Sequence, residues 1–157
     1  MAEKKINITQ LDKQCFKRIM KEELERDEFT IKMVKNQIDR GNTYDKPEEF
    51  QQMYETLLGK QKKFLSILAM LPKGLKEVDV NEKELEYFDL LVNNQICISQ
   101  SRLKDWKEGG CLYNAFKLRC EKENFEKGLI EIRKYDTDNI ECANNIAEQL
   151  NIEIKAE

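Results

Sequence analysis

The chain has 157 residues, 27 basic against 30 acidic for a net charge of −3, and no histidine. That length can bury a real core in one domain, and charge this evenly mixed excludes a globally basic nucleic-acid binder or a strongly acidic mimic. Without histidine the chain lacks the commonest general base near neutral pH and the commonest metal ligand.

Thr9 with Asp12 three residues on has the form of a capping box with Asp in place of Glu. Leu11, Cys15, Phe16, Ile19, Met20, Leu24, Ile31, Val34 and Ile38 then recur at three- and four-residue steps, and Gly41 follows as a stop. This predicts a helix of about 30 residues, roughly 45 Å long, with a bend or break near Arg26-Asp27-Glu28, where apolar residues thin out. Asp45-Lys46-Pro47-Glu48 is a second start signal, with proline in the first turn and acid at the positive helix end. Phe50, Tyr54, Leu57, Gln61, Phe64, Leu68 and Leu71 follow at heptad spacing. Met53, Leu58, Leu65 and Ile67 widen that face beyond a two-stranded seam, which predicts burial in a bundle. Pro72 and Gly74 close this helix.

Leu75–Val80 alternates and reads as extended. Asn81 with Glu84 is another capping box, opening a helix through Leu85, Phe88, Val92, Ile96, Leu103 and Trp106 that stops at Gly109-Gly110. A fourth pattern runs from Cys111 to Ile132, weakened by Gly128, and Asp138 with Glu141 opens a short fifth through Leu150. Leu129–Ile132 and Ile152–Ile154 alternate as well and define a competing reading, a strand–helix–strand unit that would need Leu75–Val80 or Ile6–Ile8 as partner. The expected architecture is one all-α domain over 1–157. It is an antiparallel bundle of four long helices with a short C-terminal helix, with Leu57, Phe64, Leu68, Phe88 and Val92 in the core.

The five cysteines, Cys15, Cys97, Cys111, Cys120 and Cys142, are odd in number and include no CxxC pair, so they read as free thiols packed in the core. With no base to activate them they are poor nucleophile candidates. No GxSxG elbow and no phosphate-binding glycine loop occurs. Met1–Thr9 has no apolar signal-peptide core, and the most apolar stretch, Phe64–Leu71, is too short to span a membrane. Those features place the chain in the cytoplasm.

Two acidic clusters carry the one catalytic possibility. Glu22-Glu23-Leu24-Glu25 and Glu86-Tyr87-Phe88-Asp89 could supply hard oxygen ligands to Mg²⁺. These stretches resemble the ExxE and ExxD elements of the all-helical nucleotide pyrophosphatases of the MazG type, over about a dozen residues. The resemblance implies a metal-dependent hydrolase with Glu22, Glu25, Glu86 and Asp89 as metal ligands. Lys13, Lys17 and Lys21 form an i, i+4 stripe that could track a phosphate backbone, a third reading as a nucleic-acid-associated protein. Tyr44 before Pro47 is the more exposed candidate aromatic contact; Trp106 at a helix end reads first as a core plug and second as an interface anchor. The leading expectation is a non-catalytic interaction or regulatory module without cofactor. Its partner is another protein, Tyr44, Trp106, Lys13, Lys17 and Lys21 are its contact candidates, and self-association is open to it. A phage or mobile-element accessory protein fits this profile.

Overall fold

The computed structural model describes residues 4–120 and 122–155. The fold is all-α, with one small antiparallel ribbon. In chain order the elements are β1 (Lys4–Asn7), α1 (Lys13–Asp39), α2 (Pro47–Met70), β2 (Glu77–Val80), α3 (Glu82–Glu108), α4 (Cys111–Arg119) and α5 (Lys122–Leu150), with 3₁₀ turns at Ile8–Gln10 and Leu71–Lys73. Two compact units divide the chain, 1–88 and 89–157, and the division falls inside α3.

The first unit is built on a helical hairpin. Asp12, not Thr9, caps α1, its carboxylate accepting from the backbone N–H of Gln14 and Cys15. Thr9 is instead held one step earlier, by the Asn7 side chain. Beyond α1, Gly41 takes a left-handed φ of 66°. Its N–H bonds to Ile38 and that of Asn42 to Gln37, the double closure that satisfies the last helical carbonyls. α1 is continuous through Arg26-Asp27-Glu28. α2 returns antiparallel, so residues at equal distance from the turn meet. Phe16, Ile19 and Met20 of α1 and Leu57, Phe64 and Ile67 of α2 are buried, while Leu68 is half-buried.

The extended reading of 75–80 finds its partner at the N-terminus. Ile6 lies opposite Val78, and Lys4 opposite Val80. Ile6, Val78 and Val80 are buried, and Lys5 sits 3.7 Å from Glu77 and 3.8 Å from Asp79. Two strands alone are marginal; this pair persists because one face is covered. Asn81 and Glu84 form the expected capping box, Glu84 N–H to Asn81 Oδ1 at 2.8 Å and Asn81 N–H to Glu84 Oε1 at 3.1 Å. Phe88 then packs on Phe64, ring centroids 5.3 Å apart.

The second unit departs from expectation in its partition. The short helix is the fourth, and the fifth is the longest in the chain. The break comes at Cys120, and Asp138 lies inside α5 because neither proline nor glycine interrupts the chain beyond Gly128. Gly128 is where Phe116 packs against α5: a Cβ there would sit 2.6 Å from the Phe116 ring. Residues 129–132 are helical, and 152–154 are not a strand. The tail is instead held by Asn93, whose amide donates to Glu153 O and accepts from Lys155 N–H at 2.7 Å. A side chain thus supplies the partner that the alternation suggested a strand would supply. Val92, Ile96, Ala143, Ile146 and Leu150 are buried along α3 and α5.

Gly59, in the interior of α2, faces Tyr87: any Cβ there would run into the phenol oxygen. Glycine in a helix interior normally costs about 0.5–1 kcal/mol relative to alanine. Gly59→Ala should nonetheless lower the melting temperature, and adding Tyr87→Phe should return part of the loss. A higher melting temperature for Gly59→Ala would show that the ring packs elsewhere.

Candidate functional site

The most unusual chemistry in the first unit lies in its core. Lys60 is 1% exposed, between Glu23 at 1% and Asp27 at 6%. Its ammonium is 2.9 Å from Glu23 Oε1 and 2.8 Å from Asp27 Oδ2. Arg26 completes the group at 3.0 Å from Glu23 Oε2, and its other end reaches Glu22 at 3.9 Å. Burial pushes the Asp27 carboxyl above its ordinary value of 3.8, against the opposing pull of Lys60. The cluster is packed between α1 and α2, and it holds no nucleophile and no open ligand position. Sequence periodicity pointed here in one respect: Glu23 and Asp27 occupy the same helical stripe as Met20 and Val34, and Lys60 sits between Leu57 and Phe64.

The acidic residues proposed as metal ligands each have their own surroundings. Glu22 is engaged by Arg26, Glu25 and Glu86 are exposed, and Asp89 accepts from the Asn93 amide at 2.8 Å. Among the described residues, no group of three or more Asp, Glu or Cys side chains is placed to hold a metal ion. The i, i+3 and i+4 spacings did put carboxylates on common helix faces, but the core took Glu23 for Lys60 and left the rest on separate contacts.

Lys13 and Lys21 are exposed and Lys17 is half-buried along α1. Tyr44 is 73% exposed, in the α1–α2 turn at a left-handed φ of 51°. Beside this turn Ile38, Thr43, Pro47 and Glu48 line an open depression. Trp106 is 7% exposed. It is buried with Phe125 and Leu129 in the second unit, edge-on to Phe116 with centroids 5.6 Å apart. Expecting the cysteines in the core holds for Cys15 and Cys142, but Cys97 and Cys111 are exposed. Both of these lie outside the buried stripes, and all five are free thiols.

The surface that sequence reasoning misassigned is the outer face of α2. Widening the apolar stripe predicted burial for Met53, Leu58 and Leu65, yet these are 48%, 37% and 53% exposed. Leu58 and Leu65 belong to a second stripe, Tyr54, Leu58, Gln61, Leu65 and Leu68, again at steps of four and three. Tyr54, Gln61 and Leu68 are half-buried along it. α2 therefore has two apolar faces, and its own hairpin covers only one.

In the second unit a cavity of about 490 Å³ opens beside Trp106, lined by Leu112, Ile132, Tyr135 and the Arg102–Asp136 pair at 3.3 Å. It offers an apolar wall, the phenol of Tyr135, the carboxylate of Glu131 and one ion pair. No family model, curated protein or solved structure matches the chain, so function is argued from these surfaces alone. No helix among the described residues is long and apolar enough to cross a membrane.

The ionic cluster makes two predictions. Lys60→Met leaves two buried carboxylates without their shared cation and should cost about 3–5 kcal/mol in urea denaturation; a loss under about 1 kcal/mol would place the cluster in contact with water. Asp27 has a raised pKa in the folded state, so its contribution to stability is full below pH 3.8 and is lost as pH rises through the raised value. Asp27→Asn should therefore gain on the wild type as the pH rises through that window. A gap that stays constant from acid to neutral pH would show that Asp27 is not desolvated.

Proposed function

We propose that this protein is a non-catalytic binding module that engages another protein through a helical surface, the outer stripe of α2. The observation that carries this reading is the second heptad-spaced stripe, with Leu58 and Leu65 at 37% and 53% exposure. A monomeric surface scatters single apolar residues, but a contiguous row at coiled-coil spacing is the form taken by helix-in-groove and helix-on-helix recognition. It is in keeping with this reading that, among the described residues, no group of three or more Asp, Glu or Cys side chains is placed to hold a metal ion. The exposed thiols Cys97 and Cys111 fit a reducing compartment, the cytoplasm, as the place of action.

Leu65→Asp tests the reading. The side chain already faces outward, so the change should alter folding stability by no more than about 0.5 kcal/mol. Affinity capture with wild-type and variant chains, compared by quantitative mass spectrometry, should show the specific partner lost with Leu65→Asp and kept with a control such as Lys13→Asp. Identical captured sets would remove α2 as the binding surface.

A further inference from the structure

We infer that the occupant of the outer α2 stripe is the same stripe of a second copy, docked antiparallel about a two-fold axis. The inference rests on reading this stripe as a binding surface and names the partner. Its basis is the charge that flanks the stripe. With Leu58 and Leu65 at one set of seam positions and Tyr54, Gln61 and Leu68 at the other, Glu55 and Lys62 fall one heptad apart on the same exposed flank. In an antiparallel pairing, seam residues of the two kinds alternate in layers. Tyr54 packs against Leu65 of the second copy, and Leu58 against its Gln61. That same register sets Glu55 beside Lys62 of the second copy, and the two-fold axis repeats the pair. The surface is complementary to itself, as a symmetric dimer requires.

A parallel pairing fails this test. It would face Glu55 and Lys62 toward positions 50 and 57, the uncharged Phe50 and Leu57, and Leu57 is already buried in the chain's own hairpin. It would also stack Gln61 on Gln61 across the axis. Among the described residues Lys62 has no ion-pair partner within the chain, and Glu55 accepts only from Gln51, at 3.3 Å. Both charges are therefore available to a neighbour. The seam from Tyr54 to Leu68 covers two heptads, about 21 Å at 1.5 Å per residue, which is short for a coiled coil. The dimer should dissociate on dilution.

Sedimentation velocity on the full chain tests this over a range of concentrations. The expected mass moves from 18.6 kDa toward twice that value as concentration rises. Leu58→Asp with Leu65→Asp should hold the chain monomeric with an unchanged circular dichroism spectrum. Glu55→Lys or Lys62→Glu alone should weaken dimerisation roughly tenfold, since two ion pairs become two repulsions. The double exchange Glu55→Lys with Lys62→Glu should restore it, a rescue that only the antiparallel register provides. A dimer lost in the leucine variant but not rescued by the exchange overturns that register. A chain monomeric at every concentration overturns the second copy as occupant. In that case, capture of a different protein that depends on Leu65 preserves the binding-module reading, and capture that ignores Leu65 ends both.

Discussion

Lys60, buried between two carboxylates of α1, is the constraint on which the first unit depends. Sliding α2 by one turn along α1 would replace this ammonium with Thr56 or Phe64 and leave Glu23 and Asp27 buried without a cation. The same register fixes the neighbours of Lys60. Gly59 lies under the Tyr87 phenol, and Lys63 reaches Asp79 O at 2.7 Å and Glu84 at 3.0 Å. Residues 59, 60 and 63 thus tie one side of α2 to the start of α3, to α1 and to the ribbon. Glu84 also belongs to the capping box of α3, so the register of the hairpin is tied to the first turn of that helix, within the first unit.

This ionic core contributes more to register than to stability. Removing charges from water costs several kcal/mol each, and pairing them inside returns that only with near-complete satisfaction. The upward shift of Asp27 is the mark of an incomplete return: desolvation outweighs the attraction of Lys60. An apolar trio of the same volume would pack at least as well, yet it would accept slips of one turn that the charges forbid. The proposed binding role requires that outer surface to be held at a fixed height. The buried cluster supplies the fixed height, because the positions of Leu58 and Leu65 follow directly from that of Lys60.

Much of this fold is legible in the sequence wherever the signal is local. The Asn81–Glu84 box, the Gly41 stop and the proline start of α2 each act within a turn of helix, and each appears where its residues predict. The failures are non-local. The acidic stretch at Arg26-Asp27-Glu28 reads as a helix break because its compensating lysine is 33 residues away from Asp27 in sequence. Gly128 reads as a weakness because the ring that needs its missing Cβ belongs to Phe116 on another helix. Ile152–Ile154 reads as a strand because the pattern cannot reveal that the Asn93 amide acts as its partner. For the candidate site, Tyr44 before Pro47 reads as exposed and is so, and Trp106 at a charged helix end reads first as a core plug and second as a contact; Phe116, Tyr113 and Phe125 close around it.

The most consequential misreading concerns the breadth of the α2 apolar face. A wide stripe is the usual signature of a helix buried in a bundle, and width alone cannot separate one broad buried face from two narrow faces with different occupants. Spacing separates them here. Leu57, Phe64 and Leu71 form one row with Lys60 set into it. Tyr54, Leu58, Gln61, Leu65 and Leu68 form the other, with Glu55 and Lys62 along its open edge. The inner row is interrupted by a charge that its own hairpin neutralises. The outer row is flanked by charges that no residue described in the chain neutralises as an ion pair. A helix that serves only its own core has no use for a second row at this spacing, and two opposite charges one heptad apart beside that row give it an orientation. On the proposed binding role, the two faces of α2 differ as an interaction the chain completes alone differs from one left for a partner.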